Sequence, residues 1–138
     1  YSGIAELLGR LKAHGHRLYV ATSKPESTAV EILDKFELSP YFTRICGASM
    51  DSGRDSKEVV IAYLLELEGC REKTVMVGDT AFDVIGAAAH QIPTIGVSWG
   101  YGDVGAMLEA GAVAIAHSTE ELEALLTQEM LHSTTKIS

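Results

Sequence analysis

The sequence is short of cysteine, proline and positive charge, and each shortage excludes a class of protein. Its 138 residues include two cysteines and three prolines, which does not fit a disulfide-stapled scaffold or a proline-rich disordered chain. The sequence has 11 lysines and arginines and 19 acidic residues, and the resulting net charge of −8 argues against a nucleic-acid-binding surface. No apolar run approaches the roughly 20 residues that a membrane-spanning helix needs. The composition is that of a globular domain.

The two cysteines, Cys46 and Cys70, show neither the spacing of a metal site nor a disulfide framework. The first 15 residues are amphipathic and do not have the pattern of a secretory signal. We therefore predict reduced thiols and a cytoplasmic location.

Short apolar runs alternate with amphipathic segments along the whole chain. Runs at 17–22, 44–48, 74–79, 93–97 and 112–116 predict strands, and the intervening segments predict helices. Continuous apolar strands separated by helices are typical of a parallel sheet covered on both faces. We predict an α/β protein with a three-layer α/β/α, Rossmann-like core over residues 1–128, followed by a frayed or linker-like tail at 129–138.

Ligands of such sheets bind at the carboxyl ends of the strands, and the segment VGDTAFD places two acids there. Asp79 follows the strand and Asp83 falls in the first turn of the next helix, so both carboxylates can face one crevice. A cation relieves the repulsion of such a pair, and hard oxygen ligands in small number suit Mg²⁺. The alternative is that Asp79 caps the helix and Asp83 interacts with its positive end.

Two further segments carry groups that suit an anion. Thr22 and Ser23 follow a strand and precede a helix that begins near Pro25, where a hydroxyl and backbone N–H groups can hold phosphate. Lys57 stands in the first turn of a helix, the unfavourable end of the macrodipole for a cation. The alternatives are helix capping by Ser23 and ordinary surface lysines at Lys57 and Lys24.

Taken in order, Thr22, Lys57, Asp79 and Asp83 resemble motifs two, three and four of the haloacid dehalogenase superfamily. The flanking segments YSGIAELLGRLKAHGHRLYVATSKP and VMVGDTAFDVIGAAAHQIPTIGVSWGYGD are similar to its phosphoglycolate phosphatase-like branch. Ser23 departs from the asparagine often found there, and Lys57 lacks the usual Lys-Pro-x-Pro context.

The resemblance implies a Mg²⁺-dependent phosphatase of a small phosphorylated metabolite. An aspartate on the first, central strand would attack the phosphomonoester and form an aspartyl-phosphate. Thr22 and Ser23 would bind the phosphoryl group, Lys57 would neutralise its charge, and Asp79 and Asp83 would hold Mg²⁺. Such a division of roles fits phosphoryl transfer, which depends on positioning and on neutralising oxygen charge.

The family's first motif, Asp-x-Asp, is absent from these 138 residues. We therefore expect no turnover from this polypeptide alone. We also expect the sheet to lack its central strand, between the strands that end at Thr22 and Gly78, and to be completed by a preceding segment or another chain.

Two other functions remain open at this stage. One is a non-catalytic phosphate- or partner-binding domain on the same scaffold. The other is a receiver domain, which also binds Mg²⁺, although its paired acids come early in the chain and here they follow the middle. The substrate also stays open between phosphoglycolate, a sugar phosphate and a nucleotide.

Overall fold

The structure is a computed structural model that describes residues 3–49, 57–68, 74–100, 102–129 and 134–137, with the backbone alone at 57, 68, 127–129 and 134–137. Helices and strands alternate through most of the chain. The helices are α1 (Ile4–Ala13), α2 (Glu26–Lys35), α3 (Lys57–Glu68), α4 (Ala81–Ala88), α5 (Val104–Ala110) and α6 (Thr119–Glu129). The strands are β1 (Arg17–Pro25), β2 (Arg44–Ala48), β3 (Thr74–Gly78), β4 (Thr94–Val97), β5 (Ala114–Ala116) and β6 (Thr134–Ile137).

All six strands form one parallel sheet in the order β2-β1-β6-β3-β4-β5. Alternate residues of the strands enter two separate apolar clusters, so the sheet is buried on both faces. One cluster joins the sheet to α1 and α6, and the other joins it to α3 and α4. The predicted three-layer α/β fold is confirmed.

The first cluster is built on the leucines of α1. Leu7, Leu8 and Leu11 are fully buried, as their helical spacing predicts, and they meet the buried leucines of α6. On the outer surface, the Arg10 guanidinium donates to both carboxylate oxygens of Glu123 at 2.9 and 3.0 Å. An exposed pair of this kind contributes less than about 1 kcal/mol, so apolar burial is what holds α1 and α6 in place.

Helix α3 is rotated relative to the sequence-based prediction. The spacing of apolar residues at 56–68 predicts an inward face of Val59, Val60, Tyr63, Leu64 and Leu67. Val59 and Leu67 are instead 37% and 43% exposed. The buried face consists of Val60, Ile61, Leu64 and Leu65. Helix α3 packs both on the sheet and on α4. The side of the helix that faces these two surfaces is next to the side that the sequence predicted to be buried.

Helix α2 buries less than its sequence suggests. Ala29 is its buried apolar residue, whereas Phe36, at the carboxyl end, is 64% exposed. Ile32 is also partly exposed and faces a cavity described below. The apolar residues of α2 therefore border open space at the carboxyl end of the sheet.

The carboxyl-terminal segment differs from the predicted frayed tail. Thr134–Ile137 forms β6 and lies between β1 and β3, pairing with both. This is the position at which a missing central strand was expected. The two neighbouring strands present facing rows of backbone donors and acceptors, and pairing them offsets the cost of about 1–3 kcal/mol for each buried group left unpaired.

Within the described residues, no helix is both long and apolar enough to span a bilayer.

Candidate functional site

The end of β1 leaves the regular ladder at the residues predicted to bind an anion. Ala21 pairs with Cys46, but the next pair is Pro25 with Ala48, so β1 contains extra residues between them. Thr22, Ser23 and Lys24 occupy this irregular stretch. The Thr22 hydroxyl accepts a hydrogen bond from the Lys24 backbone N–H at 3.2 Å. The bulge turns these three residues out of the sheet at its carboxyl end.

Gly47 on β2 allows this arrangement. A Cβ at that position would lie 2.6 Å from the Lys24 carbonyl oxygen and 2.7 Å from Glu26 Cα, closer than real contacts permit. The Gly47 N–H in turn donates to the Glu26 carboxylate at 3.2 Å. β2 therefore fixes the segment between Thr22 and the start of α2.

The end of β3 is organised around the Asp83 carboxylate. Thr80 is the N-cap of α4, and Thr80 and Asp83 form a capping box. Asp83 Oδ2 accepts from the Asp79 N–H at 3.0 Å, the Thr80 N–H at 3.1 Å and the Thr80 hydroxyl at 3.2 Å. The side chain is 2% exposed. The alternative in which Asp79 caps the helix is wrong, because Thr80 does so.

Gly78, the last residue of β3, makes room for that carboxylate. A Cβ at Gly78 would lie 2.5 Å from Asp83 Oδ2 and 2.6 Å from its Cγ. Glycine is therefore required here for close approach, and Asp83 is held against the strand end.

A cavity of about 740 Å³ brings most of the predicted site residues together. Its polar lining includes Thr22, Ser23, Lys24, Asp79 and Asp83, which come from the ends of β1 and β3. Its other walls are mainly apolar side chains of β1, α2 and α4, namely Val20, Ala29, Ile32, Leu33, Phe82 and Ile85, and the polar residues Glu58 and Thr80 also line it. This volume is within the usual range for small-molecule sites.

A second cavity of about 460 Å³ also reaches Asp79. It lies on the α1 side of the sheet and is lined mainly by apolar residues, with Trp99 and Gly100 beside Asp79. Trp99 is the single tryptophan of the sequence and packs against the first apolar cluster. Its indole is therefore a natural reporter of changes near Asp79.

Lys57 is the first residue of α3, but its side chain lies outside the described part of the structure. The prediction that its ammonium group meets a phosphoryl group stays a prediction. Asp55 or Ser56 is the N-cap that the sequence predicts for this helix, and both lie outside the described residues, as does Cys70.

The two acids fit Mg²⁺ in different ways. Asp79 follows β3 directly and lines both cavities, so its carboxylate can serve as a ligand. Asp83 already uses Oδ2 to accept three hydrogen bonds, which suits it to orienting Asp79 or to contacting a metal through its other oxygen or a water. Mg²⁺ commonly takes one or two carboxylates together with phosphate and water. Among described residues, no group of three or more His, Cys, Asp or Glu could hold a metal.

A family model described as haloacid dehalogenase-like hydrolase matches residues 1–97 of the chain. The chain belongs to this family. The membership agrees with the resemblance carried by Thr22, Asp79 and Asp83, and the parallel sheet with helices on both faces agrees with it as well.

Curated relatives of the chain carry different names. Tyrosine-protein kinase PtkA of Mycobacterium tuberculosis is 44% identical over 119 residues, covering 86% of this chain and 41% of the relative. A 5'-nucleotidase of Pseudomonas aeruginosa is 43% identical over 103 residues, 74% of this chain and 47% of the relative. A phosphoglycolate phosphatase of Agrobacterium fabrum is 35% identical over 105 residues, 75% of this chain and 45% of the relative.

Solved structures give the same assignment. A predicted phosphatase from Clostridium acetobutylicum superimposes with a TM-score of 0.89 at 40% identity, covering 93% of this chain and 60% of that one. This haloacid dehalogenase-like chain thus spans about half the length of the relatives it matches.

The sequence indicates that the glycines of the 98–102 loop permit close backbone approach, but sequence reasoning missed their position against Asp79 and the role of Thr80. The spacing of Thr80 and Asp83 is a capping-box pattern and could have indicated the latter. The contacts of Gly100 and Gly102 with Asp79 join residues about 20 positions apart, and no local pattern marks them.

Proposed function

We propose that this chain supplies the Mg²⁺- and phosphate-binding part of a phosphatase that hydrolyses a small phosphomonoester through an aspartyl-phosphate intermediate. The observation that supports this best is that Thr22, Ser23, Asp79 and Asp83 line the same cavity at the carboxyl end of the sheet. Family membership and the names of several relatives agree with it.

Each residue has a role that follows from its chemistry. The Thr22 and Ser23 hydroxyls and the nearby backbone N–H groups hydrogen-bond the phosphoryl oxygens. Asp79 binds Mg²⁺, and Asp83 orients the Asp79 backbone or contacts the metal itself. Bound Mg²⁺ supplies positive charge that offsets the developing charge on the phosphoryl oxygens. Lys57 adds a second positive charge, which an acidic protein needs in order to bind an anion.

The nucleophile must come from outside these 138 residues, because no Asp-x-Asp occurs in them. We propose that a strand from a preceding segment or from another chain brings it to the centre of the sheet, beside β1 and β3. That position is held by β6, so the incoming strand displaces β6. Cavities border the ends of β1 and β3, where the nucleophile at the end of such a strand would lie.

The names of the relatives bear on the substrate class. The relatives are named as a kinase, a nucleotidase and a phosphoglycolate phosphatase, and what these names share is the transfer of a phosphoryl group. We propose a small phosphorylated metabolite, with phosphoglycolate, a sugar phosphate and a nucleotide as candidates. The buried, reduced Cys46 is in keeping with the proposed cytoplasmic location.

A non-catalytic phosphate- or partner-binding domain is the second candidate. An upstream sequence without Asp-x-Asp would favour it, because the protein would then have only the binding half of the site.

The binding half can be tested on this chain. Inorganic phosphate is titrated with and without Mg²⁺, and Trp99 fluorescence is the readout. We expect phosphate binding that depends on Mg²⁺, is weakened by Thr22→Val and is lost in Asp79→Asn. Glu109→Gln is the control, because Glu109 is exposed on α5 and lines neither cavity. The proposal is contradicted if phosphate binding is the same with and without Mg²⁺ and is unchanged in Asp79→Asn.

Turnover separates the two candidates. We expect no Mg²⁺-dependent hydrolysis of p-nitrophenyl phosphate by the 138 residues alone. Adding an apolar peptide that ends in Asp-x-Asp should generate slow hydrolysis if the site is catalytic. A chain that binds phosphate and stays inactive with such peptides supports the non-catalytic candidate, and robust hydrolysis without any peptide contradicts the assignment of the nucleophile.

A further inference from the structure

Two glycines that follow β4, Gly100 and Gly102, lie in close contact with Asp79. A Cβ at Gly100 would meet the Asp79 Cβ and Oδ2 and would lie 2.6 Å from its Cγ. A Cβ at Gly102 would meet the Asp79 carbonyl oxygen and would lie 2.8 Å from Thr80 Cα. Side chains essentially never approach this closely, so neither position accepts one without a shift.

The requirement at these positions is steric. The described glycines with positive φ are Gly3, Gly15 and Gly111, and Gly100 is not among them. The φ of Gly100 is therefore outside the left-handed region and does not itself require glycine. What excludes a side chain is the presence of Asp79.

Hydrogen bonds hold the backbone on both sides of the two glycines. Before them, the Ser98 N–H donates to the Ala116 carbonyl oxygen at 3.0 Å, and the Ser98 hydroxyl lies 2.9 Å from His117 Nδ1. After them, the Asp103 carboxylate accepts from the Gly105 N–H at 3.1 Å and caps α5. These anchors limit how far the glycines can retreat from Asp79.

We propose that Gly100 and Gly102 are positioning residues that hold Asp79 in the orientation needed to bind Mg²⁺. Gly100 packs against the carboxylate-bearing side chain, and Gly102 packs against the Asp79 carbonyl. On the opposite side, the Asp79 N–H is fixed by Asp83 Oδ2 at 3.0 Å. Asp79 is thereby confined between a neighbouring loop and the first turn of α4. This inference rests on the proposed function, since the ligand it concerns is the proposed Mg²⁺.

The test uses Gly100→Ala, with Gly105→Ala as the matched control. A Cβ at Gly105 would meet nothing closer than Asp103 Oδ1 at 3.6 Å, an ordinary contact. Mg²⁺ affinity is measured by calorimetry, and the Asp79 carboxyl carbon is followed by NMR in the metal-free protein. Gly100→Ala should weaken Mg²⁺ binding about 10–100-fold, as loss of an outer-sphere support usually does, and should shift the Asp79 resonance. Gly105→Ala should change neither.

The contact itself is tested by a double-mutant cycle with Asp79→Gly, which removes the side chain that Gly100→Ala would strike. Gly100→Ala should lower the urea midpoint clearly less in that background than in the unsubstituted chain. If Gly100→Ala alone fails to fold, the double variant should fold, and its failure to do so overturns the inference.

The outcomes separate this inference from the proposed function. A lowered urea midpoint with unchanged Mg²⁺ affinity and an unchanged Asp79 resonance makes Gly100 merely structural and overturns the inference. If the unsubstituted chain binds no Mg²⁺, the metal part of the proposed function fails. The positioning role is then decided by the Asp79 resonance and the double-mutant cycle, both of which need no metal.

Discussion

Replacing Asp83 with alanine should destabilise the fold strongly, because its carboxylate accepts hydrogen bonds from two backbone N–H groups. Asp83 Oδ2 accepts from the N–H groups of Asp79 and Thr80, and the side chain is buried. Each buried N–H left without a partner costs about 1–3 kcal/mol. Asp79 and Thr80 are half-buried, so water can reach them in part, and we take the lower range, about 2–3 kcal/mol for the two donors.

Asp103→Ala is the comparison for this prediction. Asp103 is exposed and its carboxylate accepts from the Gly105 N–H at the start of α5, so its loss should cost about 1 kcal/mol. Asp83→Asn keeps an acceptor oxygen and should fall between Asp83→Ala and the unsubstituted chain.

Urea unfolding measures these differences. Circular dichroism and Trp99 fluorescence give two independent probes, and midpoints are compared where the slopes agree. If Asp83→Ala costs no more than Asp103→Ala, the hydrogen bonds at Asp83 do not hold the end of β3, and the reasoning is refuted.

Three further changes test the fold. Leu11→Ala removes a fully buried side chain and should cost about 2–5 kcal/mol in the same assay, whereas the half-exposed Leu108 should tolerate alanine with a much smaller loss. Gly111→Ala places a Cβ on a residue with φ of 112° that ends α5, and a loss of about 1 kcal/mol is expected; no loss contradicts the left-handed conformation. A chain that ends at Glu129 lacks β6 and should unfold at a lower urea concentration, and an unchanged midpoint means that β6 does not pair with β1 and β3.

Most helices and strands were predictable because the spacing of their apolar residues matches the residues that are buried in the structure. The five apolar runs correspond to β1 to β5, with ends that differ by a few residues. The leucines of α1 face the core because one side of that helix meets the sheet, α6 and the segment 38–42. Helix α3 was harder, since it packs on two surfaces and local spacing does not say which stripe lies between them.

The parts that sequence could not predict depend on contacts between distant segments. Thr134–Ile137 is short and contains lysine and threonine, so nothing in it indicates a central strand, and its position follows from the unpaired edges of β1 and β3. The ends of β1 and β3 were located as a site because parallel sheets gather their strand ends at one edge. How Gly78, Gly100 and Gly102 enclose the two acids depends on packing across that edge.

The central claim is that residues at the ends of β1 and β3 together bind a divalent cation and a phosphoryl group. The most direct measurement is a backbone NMR spectrum of the 138-residue chain with saturating Mg²⁺ and inorganic phosphate. The amides of Thr22, Lys24, Gly78 and Asp83 should shift together, and those of β5, away from the cavity, should not. No shift at saturating concentrations, or shifts confined to another face of the molecule, would contradict the account.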